Sequence, residues 1–179
     1  MTTERRPTRL HHTAYVTRDL EKTRAFYEDL IGLPLVATWC ESDELFGKVR
    51  TYCHCFFGLE DGSALAFFQF ANQEDQNLFG PEMPSSPFHH IALNVDRATL
   101  ERVQKKLADA GYEPPKTYVL EHGYCQSLYV VDPNGMTLEL TCDAQEAISD
   151  DLVREREKKA RSELARWLAG DHTSNNTFR

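Results

Sequence analysis

Two stretches of this chain repeat one another. Leu10-His11-His12-Thr13-Ala14-Tyr15-Val16 returns as Phe88-His89-His90-Ile91-Ala92-Leu93-Asn94-Val95, with the second histidines 78 positions apart. An internal repeat constrains a fold strongly, because each copy must form one supersecondary unit that stacks on its neighbour to bury a core. Both copies are short runs rich in β-branched and aromatic residues, and both read as strands. A helix follows each. Leu20, Thr23, Phe26, Tyr27 and Leu30 recur at helical spacing between Asp19 and Gly32, as Leu100, Val103 and Leu107 do between Asp96 and Gly111. Asp19 and Asp96 stand where a helix N-terminus takes a capping oxygen. Gly32 supplies a stop, and Pro34 cannot continue the helix.

Three strand-like runs complete each half, over 34–38, 49–57 and 64–70 and again over 115–120, 126–131 and 136–142. Asp132-Pro133-Asn134-Gly135 is a turn sequence, with proline presetting φ and glycine taking the left-handed position. Glu60-Asp61-Gly62 is its weaker counterpart. The expected class is therefore α+β, with two paired βαβββ modules at 9–70 and 88–142. A Pro-rich linker spans 71–87, residues 1–8 form an arm, and 143–179 form a C-terminal helix and tail. Ser149 is placed to cap that helix and Gly170 to end it. Leu152, Val153, Leu164, Trp167 and Leu168 are its apolar anchors, for packing on the domain or across a dimer contact. The polar residues from Asp171 onward read as mobile unless they cover something.

Acidic residues outnumber basic ones 28 to 20, for a net charge of -8. Nucleic-acid binding rests on cations that displace phosphate counterions, so a nucleic-acid partner is not expected. Mean hydropathy is -0.53, and no apolar run nears the ~20 residues that cross a bilayer, so neither is a membrane. Without a secretory signal at the N-terminus, and with an odd five cysteines, the expectation is a cytoplasmic protein with free, packed thiols. In Cys53-His54-Cys55 a strand sends both thiols to one face and the imidazole to the other. No second cysteine pair lies at zinc-site spacing.

The repeated histidines carry the functional signal. Alternation puts His12, Ala14 and Val16 on one face, and His90, Ala92 and Asn94 on the matching face of the other half. If the modules pair symmetrically, His12 and His90 converge. Glu139 sits between Leu138 and Leu140 in mid-strand, where a buried carboxylate needs an open face or a cationic partner. Two imidazoles and one carboxylate with open positions suit a non-heme Fe(II) centre. On spacing alone this stands beside the plainer alternative of a polar sheet face.

The segments His12-Thr13-Ala14-Tyr15-Val16-Thr17-Arg18-Asp19-Leu20-Glu21, Phe26-Tyr27, Leu30-Ile31-Gly32, His90-Ile91-Ala92-Leu93-Asn94-Val95 and Asp132-Pro133-Asn134-Gly135 through Leu138-Glu139-Leu140 together resemble the vicinal oxygen chelate superfamily. That family includes glyoxalase I, the fosfomycin- and bleomycin-resistance proteins and the type I extradiol dioxygenases. The resemblance implies curled sheets enclosing a metal held by His12, His90 and Glu139. In glyoxalase I a fourth ligand comes from the last strand of the first module, which here falls on Ala66 or Gln69 according to register. Glu121-His122-Gly123-Tyr124-Cys125-Gln126-Ser127-Leu128-Tyr129 resembles the histidine loop and tyrosine strand of the single-domain extradiol enzymes. There His122 matches the acid–base histidine, and Tyr129 the tyrosine that bonds the substrate. A further histidine seen beside the oxygen site of many such enzymes has no counterpart. The implied activity is an Fe(II)-dependent dioxygenase that cleaves a small catechol-like vicinal diol with O₂, working as a homodimer. Tyr15, Phe67 and Phe68 are candidate pocket walls. The alternatives are a glyoxalase, epimerase or thiol transferase using Mn(II), Ni(II) or Zn(II), and a non-catalytic module that binds a small molecule.

Overall fold

The computed structural model describes residues 6–83 and 86–178. Its elements run β1 (His12–Val16), α1 (Leu20–Arg24, continued by wider turns over Ala25–Ile31), β2 (Leu35–Leu45), β3 (Lys48–Gly58), β4 (Ala64–Phe70) and α2 (Gln73–Phe79). The second copy runs β5 (His90–Asn94), α3 (Arg97–Asp109), β6 (Thr117–Glu121), β7 (Cys125–Val131) and β8 (Thr137–Asp143), and α4 (Asp150–Leu168) follows. Two four-stranded mixed sheets result, ordered β1-β4-β3-β2 and β5-β8-β7-β6, so the sequence repeat is a repeat of topology. In each, the strand that opens the repeat lies parallel to its last strand. The chain divides into two compact units, Met1–His89 with Val131–Met136 and His90–Val130 with Thr137–Arg179.

Each sheet buries one face. In the first unit Tyr27 stacks against Phe57 and Phe67, with Phe26, Ile31 and Leu65 also buried. In the second, Leu138, Leu140, Leu128 and Val130 are buried, as are Leu100, Val103 and Leu107 of α3. Asp19 and Asp96 cap their helices as expected, accepting from the amides of Lys22 and Thr99. Past Arg24 the helix widens, and the amides of Gly32 and Leu33 both reach the Tyr27 carbonyl. That lets the consecutive residues Phe26 and Tyr27 both bury their rings. The sequence predicts a regular helix stopped by Gly32; Gly32 does end it, at φ +95°, and only the regularity differs.

Three other features depart from the sequence reading. β2 runs on to Leu45, because it pairs residue by residue with β3 through a tight turn at Phe46-Gly47, both at positive φ. Phenylalanine is an unusual residue there, so the turn carried no signal. Between the repeats, α2 is capped by Asn72 within a stretch that composition marked only as a linker. At the start of α4, Ser149 makes no side-chain capping bond, and no residue of α4 is buried. No helix among the described residues is long and apolar enough to cross a membrane.

Candidate functional site

Register decides what each open sheet face presents. In the second unit β5 and β8 pair His90 with Thr137, Ala92 with Glu139 and Asn94 with Thr141. Glu139 therefore shares the open face with His90, and its neighbours Leu138 and Leu140 point into the core. Glu139 is only 7% exposed. Its Oε2 lies 2.8 Å from His90 Nε2, which supplies the partner that a buried carboxylate requires.

Tyr129 of β7 extends this pair. Its ring packs edge-on to His90 at 5.7 Å, and its phenol lies within the electrostatic reach of the Glu139 carboxylate. Tyr118 stacks on its other side at 5.0 Å. Burial, then the neighbouring Glu139 charge, push the phenol up to about 12. It stays a donor at any physiological pH. On the loop after β6, His122 Nε2 stands 3.2 Å from the Tyr129 hydroxyl. The second unit thus gathers a polar chain, His122–Tyr129 beside Glu139–His90, from four segments.

The C-terminal tail reaches this chain. Asn176 Nδ2 donates to the His122 carbonyl at 3.2 Å. The Phe178 backbone lies so close to Gly123 that any Cβ there would run into its carbonyl, and Gly123 also sits at φ +82°. The tail is tied to α4 by Asn175 to Glu163 and by Arg166 to the Thr173 carbonyl. Residues expected to be mobile unless they cover something do cover the His122 loop.

His12 lies in the first unit, exposed at the start of β1, with its Nδ1 2.8 Å from His11 Nδ1. The face it shares with Ala14 and Val16 also carries His54, Phe56 and Phe68. His54 stacks on Phe68 at 3.6 Å, and its ring lies 6.2 Å from that of His12. Burial, and next the nearby His12, lower the affinity of His54 for a proton. Its Nε2 is buried without a hydrogen-bond partner among the described residues. The alternation that set His54 opposite Cys53 and Cys55 was the available clue to its place on the His12 face.

Farther along that face lies a pocket of about 530 Å³, walled by Tyr52, Phe68, Phe70, Phe79 and Phe46, with Arg50 and Tyr15. Of the expected walls, Tyr15 and Phe68 line it. Phe67 does not, being wholly buried in the core. The guanidinium of Arg50 sits 5.0 Å from the Phe79 ring centre and 3.4 Å from Asp75 Oδ1.

The same register settles the fourth position. Ala66 pairs with Ala14 as Glu139 pairs with Ala92, so an alanine stands where a fourth ligand would. Gln69 has the opposite parity, and its Oε1 accepts from the Leu20 amide at 2.9 Å. The structure brings His90 and Glu139 together, and His122 with Tyr129. Among the described residues no group of three His, Cys, Asp or Glu side chains is gathered closely enough to hold a metal ion. His90 and Glu139 are nonetheless a fitting donor pair, an imidazole nitrogen and a carboxylate oxygen in contact on an open face.

The glyoxalase/bleomycin resistance protein/dioxygenase superfamily model matches residues 9–140, nearly three quarters of the chain. The chain belongs to that superfamily. Among relatives, the uncharacterized protein YwbC of Bacillus subtilis is 26% identical over 132 residues, covering 73% of this chain and 94% of that one. Lactoylglutathione lyase of Haemophilus influenzae is 28% identical over 130 residues, 72% of this chain and 87% of the enzyme. Among solved structures, the fosfomycin resistance protein FosX of Listeria monocytogenes superposes with a TM-score of 0.56 at 18% identity, over 79% of this chain and 98% of that one. At this identity the likeness shows the fold. A variant of the Listeria protein was solved with Mn(II) and 1S,2S-dihydroxypropylphosphonic acid. The expected α+β class with paired modules agrees with this fold.

Proposed function

We propose that the chain is a divalent-metal enzyme acting on a small molecule with two neighbouring oxygens. Within that class we read it as an Fe(II)-dependent extradiol-type dioxygenase of catechol-like diols. His90, Glu139 and His12 would hold the metal, and the functional form is a homodimer. The observation that carries this reading is the polar chain His122–Tyr129 beside Glu139–His90, which sets a proton-handling pair next to two candidate ligands. A bound metal supplies Lewis acidity toward both diol oxygens and, as Fe(II), a path for electrons to O₂.

The chain's own residues supply the rest. Tyr129, kept protonated by burial and by Glu139, donates to an ionised diol oxygen and fixes its position. His122, in contact with that phenol, takes a proton from the diol and returns it to the product.

A second reading, Lewis-acid lyase or transferase chemistry without O₂, draws support from the Haemophilus relative. The alanine at position 66 counts against the four-ligand form of that chemistry. One experiment tests both: metal content of anaerobically purified protein beside Glu139→Ala, followed by catechol turnover with and without O₂. About one iron per chain, lost in the variant, with O₂ consumed mole for mole with ring-cleaved product, is the expected result. Turnover that persists without O₂ overturns the dioxygenase reading. Wild-type protein that neither retains nor takes up a divalent metal overturns both.

A further inference from the structure

Cys53-His54-Cys55 has a thiol side that the proposed chemistry does not use. β2 and β3 place Cys40 directly opposite Cys53, and Thr38 opposite Cys55. The row is closely packed: Cys40 Sγ lies 3.9 Å from Cys53 Sγ, which lies 3.9 Å from Cys55 Sγ. Cys55 is in turn 3.6 Å from the Thr38 hydroxyl. The next cross-strand pair along the same face, Ser42 and Thr51, also has its side chains in contact, at 3.1 Å. Exposure is graded across the row, since Cys40 is open to solvent on the edge strand, Cys53 is half-buried and Cys55 is buried.

We infer that Cys40 and Cys53 form a reversible cross-strand redox pair, closed by a low-molecular-weight disulfide such as oxidised glutathione. Cys40 is the entry point, being the only exposed thiol of the three. Its thiolate attacks one sulfur of the small disulfide, forming a mixed disulfide and expelling one small thiol. The thiolate of Cys53 then attacks Cys40 Sγ and expels the second. Two protein thiols are oxidised to one disulfide, two electrons pass to the small disulfide, and two small thiols leave with the protons. The sulfurs already touch, so closure needs only a short approach to the ~2.05 Å bond length. Holding both reactants in place gives the second step the advantage of an intramolecular reaction. Burial and the two flanking thiols push Cys53 up to about 12, which makes its attack the slower step. Once closed, the bond staples edge strand β2 to β3 directly behind His54.

The test incubates the full chain with oxidised glutathione, traps free thiols with iodoacetamide and maps the peptides by mass spectrometry. The expected product has lost two hydrogens, with one crosslink joining the peptides of Cys40 and Cys53, and dithiothreitol reverses it. Cys55 stays reduced and slow to alkylate. Cys40→Ser abolishes the crosslink, while Cys142→Ser leaves it intact. Cys40 is exposed and its hydroxyl analogue fits, so loss of the crosslink in that variant is not loss of fold; a circular dichroism spectrum confirms this. Three results overturn the inference: glutathione remaining on Cys40 with no closure, a crosslink between Cys40 residues of two chains, or a crosslink made by Cys55.

Discussion

Replacing Tyr27 with phenylalanine isolates one bond that ties residues 105 positions apart. The Tyr27 hydroxyl, fully buried, donates to Asp132 Oδ2 at 3.0 Å. Asp132 opens the Asp-Pro-Asn-Gly turn and accepts three further bonds, from the amides of Asn134 and Met136 at 2.8 Å and from Asn134 Nδ2 at 3.0 Å. Even so, burial holds its carboxyl above the usual range, against the lowering effect of these donors. Phenylalanine keeps the stacking on Phe57 and Phe67 and removes only the hydroxyl. A hydrogen bond to a charged group contributes about 1.5–3 kcal/mol. Three donors remain, so the expected loss lies near the lower end of that range. The sign of its pH dependence follows from the raised carboxyl. The native state binds the proton more tightly than the unfolded chain, so this group's contribution to stability falls as pH rises from about 4 through its native value. Losing the tyrosine donor raises the native value further. The variant's deficit should therefore be full at pH 7, shrink as pH falls through the two proteins' native values, and be smallest below about pH 4, where Asp132 is protonated in both states. Urea unfolding of both proteins at the two pH values measures it. A deficit under about 0.5 kcal/mol at neutral pH, below the range for a charged hydrogen bond, or one equal at both pH values, refutes the reasoning.

Tyr129→Phe should lower turnover by about 100-fold, the scale of a proton-handling group, and leave metal content unchanged; steady-state kinetics with metal analysis checks both. Gly123→Ala places a side chain against the Phe178 carbonyl at a left-handed φ. It should free the tail, seen as faster proteolysis after Gly170, and in a chain ending at Gly170 it should lose only about 1–2 kcal/mol of backbone strain. Arg50→Met leaves the buried carboxylate of Asp75 with the more distant Lys48, 3.6 Å away. Thermal unfolding should show a loss toward the lower end of the roughly 3–5 kcal/mol typical of a broken buried pair.

Most of the fold was legible because two signals agreed. The His-His strand recurs, and after each copy an aspartate precedes a run of helical spacing; both aspartates do cap helices. The Glu139–His90 pair was half legible. A carboxylate between two leucines demands the open face, and strand parity puts His90 on that face, but only register brings them opposite. Register also had to choose between Ala66 and Gln69, since the two differ in parity and nothing in the run 64–70 says which residue faces His12.

What stayed hidden depends on contacts that leave no local pattern. The widened turns after Arg24 exist because adjacent aromatics both seek the core, and α2 is too short and polar to show a period. The tail is the sharpest case. Asn175, Asn176 and Phe178 look like a polar, unstructured end, and no periodicity distinguishes them from one. Their order comes from Glu163, the His122 carbonyl and the gap above Gly123. Gly123 itself was readable only as part of a loop. A glycine is needed there twice over, for the left-handed backbone and for the close approach of Phe178. The same residue that shapes the His122 loop therefore also admits the strand of chain that covers it, so changes in the tail should be felt first at His122.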